Sequence, residues 1–141
     1  FDVITLAHVF EHLHDPRTAL RACHDLLGEQ GRLWMALPNP DSLGHRRYAD
    51  AWFPLDPPRH LFLPPQSALV RLCRDAGFES VRIVRRGRSG PSGFRECANR
   101  ARQLGRRSGA AAMLRHLSDL LATFTPRWAE ETVLIAFKGR A

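Results

Sequence analysis

Short apolar runs alternate with amphipathic stretches along this chain, and the alternation predicts its elements. Phe1-Asp2-Val3-Ile4-Thr5-Leu6 is apolar on both faces, as a central parallel strand would be. Asp15-Pro16 opens a helix, with Asp as N-cap and Pro at the first helical position. Ala19, Leu20, Cys23, Leu26 and Leu27 share one face of that helix, and Gly28 caps it. Arg32 to Leu37 reads as the next strand, stopped by Pro38-Asn39-Pro40. Pro64-Pro65 opens a second helix that aligns Leu69, Leu72, Cys73 and Ala76 and is capped by Gly77. Phe78 to Arg85 is a third strand, with Val81 and Ile83 alternating against Arg82. A weak helix over about 94–107 and a stronger one over about 110–124 follow. The stronger one lines up Met113, Leu117, Leu120, Leu121 and Phe124, and Pro126 ends it. Thr132 to Phe137 is a final buried strand. Such an order predicts an α/β sheet with helices on its faces.

Two stretches break the alternation. Residues 38–64 are rich in proline and aromatics; 42–52 can hold a short helix, whereas Pro54 to His60 cannot. A connection this long is usually functional. Trp52, Phe53, His60 and Phe62 can wall a pocket there, or equally pin the loop to the core. Residues 87–93 are rich in Gly, Ser and Pro and read as a linker or mobile loop.

Composition changes this picture little, but charge adds to it. With 141 residues and 44% hydrophobic content, one soluble domain with a real core is expected. No apolar run is long enough to span a bilayer, and no signal peptide is visible. Cys23, Cys73 and Cys97 form no CxxC pair, and Cys23 and Cys73, on the apolar faces of predicted helices, read as small buried residues of a reducing cytoplasm. The net charge of +7 is carried by arginine, densest in the second half. Such a surface attracts phosphate or another anion, or is simply a solvated face. It lacks the interleaved aromatics of a base-stacking platform.

The motifs, taken in order, resemble a known family. Phe1-Asp2-Val3-Ile4, Val9-Phe10-Glu11-His12-Leu13 and Asp15-Pro16 resemble the fourth strand and following turn of class I S-adenosylmethionine-dependent methyltransferases. Leu26-Leu27, Gly31-Arg32-Leu33 and Pro38-Asn39 are similar to that family's next helix and fifth strand. Pro57-Pro58-Arg59-His60-Leu61-Phe62 and Ala76-Gly77-Phe78 resemble its ubiquinone-biosynthesis-like branch, the type 11 and 23 methyltransferases. The resemblance covers residues 1–85; residues 88–127 would be a helical insertion before the last strand. It implies the carboxyl-terminal part of a Rossmann-like, seven-stranded sheet whose last strand, here 131–138, runs antiparallel. The domain would then divide into 1–87, the insertion 88–127 and the final strand 128–141, with the cofactor-binding half upstream. That half would carry a glycine-rich loop, and no GxGxG occurs in this chain. The resemblance also implies S-adenosylmethionine as cofactor, with Leu6, Ala7, His8 and Val9 lining its methionine and sulfonium end. Trp52, Arg59 and His60 are the substrate-facing candidates.

His8, Glu11 and His12 lie within five residues, and His60 sits in the long loop. Glu11 and His12 can be structural, fixing the strand-to-helix turn. His8, His12 or His60 can serve as a general base, since imidazole has an ordinary pKa of about 6.5. A third reading is similar to the small-RNA terminal 2′-O-methyltransferases, where Glu-x-x-Glu-His and a later His hold a metal. Here the set would be His8, Glu11, His12 and His60, with His8 replacing the first Glu; imidazole-rich ligation favours zinc or a related transition metal. Fourth, His8-x-x-Glu11-His12 matches the H-x-x-E-H string of inverzincin metallopeptidases, which needs a continuous helix.

The expectation is therefore a cytoplasmic methyltransferase fragment, inactive by itself, acting on a small molecule, with the arginines favouring an anionic one, or on RNA. The non-enzymatic alternative is an α/β interaction module. An exposed sheet edge at the first strand would leave free backbone groups and allow dimerisation. No membrane partner is expected.

Overall fold

The computed structural model describes residues 1–84, 91–106 and 111–139. Four strands form one sheet: β1 (Val3–Ala7), β2 (Arg32–Pro38), β3 (Ser80–Val84) and β4 (Glu131–Phe137). Their order is β1-β2-β4-β3. β1 runs parallel to β2, while β4 is antiparallel to both β2 and β3. The antiparallel final strand expected at 131–138 is thus present.

Helix α1 (Pro16–Leu26) begins at Asp15, whose Oδ1 accepts from the Thr18 N–H at 3.0 Å. Helix α3 (Gln66–Asp75) turns back to the sheet through Gly77, at φ +105°. A Cβ at Gly77 would also meet the His24 ring at 3.0 Å, so glycine is needed twice over. The two helices bury Leu20, Leu69, Leu72 and Cys73 against Leu33, Met35, Leu37, Leu134 and Ala136 of β2 and β4. This is the period-2 face of each strand. The opposite face carries Trp34 and Ile135, only half-buried.

A second core lies beside the first. Tyr48, Ala51 and Trp52 come from α2 (Leu43–Tyr48) and the 3-10 turn that follows it; Phe94, Cys97, Ala98 and Ala101 come from α4 (Pro91–Gln103). Helix α5 (Ala111–Phe124) packs on α4.

β1 is an edge strand among the described residues, pairing only with β2: the exposed edge expected at the first strand is present, and its residues alternate between exposed and half-buried instead of being covered on both faces. Three other expectations change. A 3-10 turn, Phe53–Leu55, forms where Pro54 was expected to prevent helix; one such turn needs no N–H from its second residue. The stripe of α5 is not a core face: Met113, Leu120 and Phe124 are 65%, 56% and 73% exposed, while the small polar Ser118 is buried. The weak helix starts at Pro91 rather than about 94, and 87–90 of the expected linker lie outside the described residues. No described helix is long and apolar enough to cross a membrane.

A candidate active site at the end of the first strand

The site grows from the point where β1 stops. His8 extends the ladder by one bond, its N–H donating to the Ala36 carbonyl at 2.8 Å, and then turns the chain at φ +53°. A left-handed conformation is uncommon for a residue with a Cβ and marks places where strain serves geometry. A single 3-10 turn, Phe10–His12, follows. Phe10 is fully buried and anchors it in the main core, and that orientation carries Glu11 inside as well, at 0% exposure.

The long loop returns to this turn. The Leu61 and Phe62 N–H groups both donate to the Glu11 carbonyl, at 2.8 and 3.2 Å. That places His60 beside His12, with ring centroids 4.8 Å apart. His12 Nδ1 lies 2.8 Å from the Arg59 carbonyl, and His60 Nδ1 lies 2.6 Å from the Pro54 carbonyl. A carbonyl only accepts, so each Nδ1 carries the proton, and in the neutral ring each Nε2 is left with its lone pair. One ligand atom from each of Glu11, His12 and His60 falls within 4.8 Å of the others. Glu11 Oε2 is buried without a hydrogen-bond partner among the described residues.

His8 stands at the edge of this group rather than in it. Its Nδ1 lies 3.3 Å from Glu11 Oε1, and its Nε2 lies 3.5 Å from Glu131 Oε1. Glu131 enters from β4 opposite Pro38, where sheet register delivers it. Sequence reasoning missed Glu131; its one signal is a charge at the head of an apolar strand. Leu6, Ala7 and Val9 flank His8, with Leu6 half-buried and the other two exposed.

The remaining candidates lie elsewhere. Arg59 contributes its carbonyl to His12, while its exposed guanidinium pairs with Asp56. Trp52 does not join the cluster: it is fully buried in the second core, and its Nε1 donates to Glu130 at 3.0 Å. Glu130 gathers four donors. Besides Trp52 these are the Gly44 N–H at 2.9 Å and the Ser42 and Ser118 hydroxyls, each at 3.4 Å. Burial pushes the Glu130 carboxyl above its usual range, opposed by those hydrogen bonds. The helix-borne H-x-x-E-H geometry does not form, because the string passes from a left-handed residue into one 3-10 turn. Of the arginines, Arg106 pairs with Asp50, and Arg100 stacks on Phe53 with Asp56 at 4.0 Å. Arg85, Arg86, Arg88 and Arg107 lie outside the described residues.

The parallel β1–β2 pair and the antiparallel final strand fit the Rossmann-like sheet that the sequence led one to expect. A methyltransferase-domain family model matches residues 1–83, and the chain belongs to that family. No curated protein matches it. Among solved structures it is similar to a methyltransferase dependent on S-adenosylmethionine from Thermotoga maritima, described as a possible histamine N-methyltransferase. That pair shares 18% identity and a TM-score of 0.61, over 98% of this chain and 56% of the other. An S-adenosylmethionine-dependent methyltransferase from Archaeoglobus fulgidus shows 18% identity and a TM-score of 0.57, over 98% and 59%. Haemonchus contortus phosphoethanolamine N-methyltransferase 2, solved with S-adenosylmethionine, shows 12% identity and a TM-score of 0.52, over 99% and 34%. This chain thus spans little more than half the length of the first two.

Proposed function

We propose that the protein takes part in S-adenosylmethionine-dependent methyl transfer to a small-molecule acceptor in the cytoplasm. Leu6, Ala7, His8 and Val9 would face the methionine and sulfonium end of the cofactor. The observation that carries the reading is the strained turn at His8, which sets His8, Glu11, His12 and His60 at the carboxyl end of β1 in a family whose members transfer methyl groups. Open α/β sheets bind their ligands at that end. Methyl transfer is an in-line displacement: the acceptor's lone pair forms a bond to the methyl carbon as the carbon–sulfur bond breaks. The protein's share is positioning, and accepting a proton where the acceptor carries one. His60 and His12 suit that proton, because their Nδ1 atoms are committed to carbonyls and their Nε2 atoms are not.

Gripping the cofactor needs a glycine-rich loop, and this sequence contains no GxGxG, so residues 1–141 alone are expected to be inactive. Calorimetric titration of S-adenosylhomocysteine into this chain and into an upstream-extended version tests both points. Binding to the extended protein alone supports the reading; binding to neither removes the cofactor and favours an interaction module. In the extended enzyme, His60→Ala should lower kcat by about 10²- to 10⁴-fold if His60 is the base. The open edge of β1 could pair two copies of the isolated chain, and a clean monomer on size exclusion would exclude that.

A second reading adds a divalent metal held by Glu11, His12 and His60. The partnerless Glu11 Oε2 and the two carbonyl-anchored imidazoles fit such an ion, since metal-bound histidines commonly donate their other N–H to a carbonyl. His8, bound to Glu11 and Glu131, would orient Glu11 rather than ligate. Zinc titration followed by elemental analysis should give one ion per chain, lost in His60→Ala.

A further inference from the structure

A pocket of about 240 Å³ opens beyond the carboxyl end of β2, lined by Asp41, Gln66, Ser67 and Arg127. It lies at the same end of the sheet as His8, because β1 and β2 are parallel. Its walls are fixed by one residue. Asn39 is fully buried; its Oδ1 accepts from the Asp41 N–H at 3.0 Å, and its Nδ2 donates to the Arg127 and Ala129 carbonyls at 2.9 and 2.7 Å. Gln66 closes the third side, its Nε2 donating to the Pro126 carbonyl at 3.1 Å. The scaffold is therefore preorganised, which lowers the cost of binding. The charges it holds are not engaged by the described residues. Neither the Asp41 carboxylate nor the Arg127 guanidinium has a hydrogen-bond or ion-pair partner among the described residues, although both face the same pocket.

We propose that this pocket is the acceptor subsite and that it selects a small molecule carrying an ammonium group at one end and an anionic group at the other. Asp41 takes the ammonium and Arg127 the anion, with the Ser67 hydroxyl available as a further donor. Two opposite charges lining one pocket favour a ligand that bears both, since a singly charged ligand engages only one of them. The proposal rests on the methyl-transfer reading for its biological sense, but not for its test.

The test titrates the ¹⁵N-labelled protein with 4-aminobutyrate, butyrate and butylammonium, and follows the Gln66 and Ser67 amide signals. 4-Aminobutyrate should bind about five-fold tighter than either singly charged analogue, the scale of one partly exposed ion contact. Arg127→Gln should erase its advantage over butylammonium, and Asp41→Asn its advantage over butyrate. Equal binding of all three compounds, no shift at Gln66 and Ser67, or an unchanged ranking in both variants would overturn the proposal. S-adenosylhomocysteine titrated separately reports on methyl transfer alone: its binding with a silent pocket overturns only the subsite, and the reverse overturns only the cofactor reading.

Discussion

The two cores of this molecule are built differently. The first is a layer of aliphatic side chains between a sheet face and two helices: Leu33, Met35, Leu37 and Leu134 against Leu20 and Leu69, all at 0% exposure. The second is a cap of small and aromatic residues, Ala51, Ala98 and Ala101 around Tyr48, Trp52 and Phe94, tied to the sheet through one carboxylate. Apolar area drives the first. Glu130, with its four donors from α2, α5 and Trp52, seats the second. A nonpolar layer tolerates small adjustments; a half-buried acceptor with fixed donors does not.

Several substitutions break or sharpen this contrast, beginning with the largest. Trp52→Ala should cost about 3–5 kcal/mol, through an aromatic cavity and the donor lost from Glu130. Hydrogen exchange should rise in α4 while β1 and β2 stay protected. Leu134→Ala, in the strand between β2 and β3, should cost about 2–5 kcal/mol and raise exchange in every element together. If both variants loosen the same amides, the two cores are one cooperative unit and the contrast fails.

Gly44→Ala is next. Its Cβ would fall 2.3 Å from Glu130 Oε2, so about 1–3 kcal/mol is expected in the denaturation midpoint. Leu43→Ala, one position earlier on α2, should not share that clash.

Glu130→Gln addresses the carboxylate by pH. Burial raises the folded-state pKa of Glu130 above its unfolded value, so folding favours the protonated form. This contribution is complete below the unfolded pKa and is lost as pH rises through the folded one. Wild type should therefore lose stability relative to Glu130→Gln across that rise, and parallel melting curves across pH would show that Glu130 does not titrate in the fold. Smallest of all, Arg17→Ala removes an exposed 3.5 Å contact to Asp75 and should stay within about 0.5 kcal/mol.

Most of the first core was legible in the sequence. Its strands and helices follow local rules: alternation in β2, the Asp15-Pro16 start of α1, the positive φ at Gly77. The candidate site was half legible. Glu11, His12 and His60 were singled out, because titratable residues clustered after a strand, and a histidine in an unusually long loop, are visible without a fold. Glu131 was not, since an acidic residue before an apolar strand says nothing about which residue register will set beside it. Trp52 was misleading for a related reason: an aromatic in a loop reads alike whether it walls a pocket or fills a core, and only Glu130, 78 positions away, decides between them. The stripe on α5 shows the converse, a regular periodicity that the described structure leaves facing outward.

By itself, then, the sequence determined the element order, the α/β class, the helix caps and the family resemblance, all of which depend on neighbours a few positions apart. Tertiary structure decided the rest. It placed β4 between β2 and β3, turned Glu131 toward His8 and Glu130 toward Trp52, and closed Asp41 and Arg127 around one pocket. The physical reason is register: consecutive residues of an extended strand point to opposite faces, so where each reaches is fixed only by the strand lying beside it.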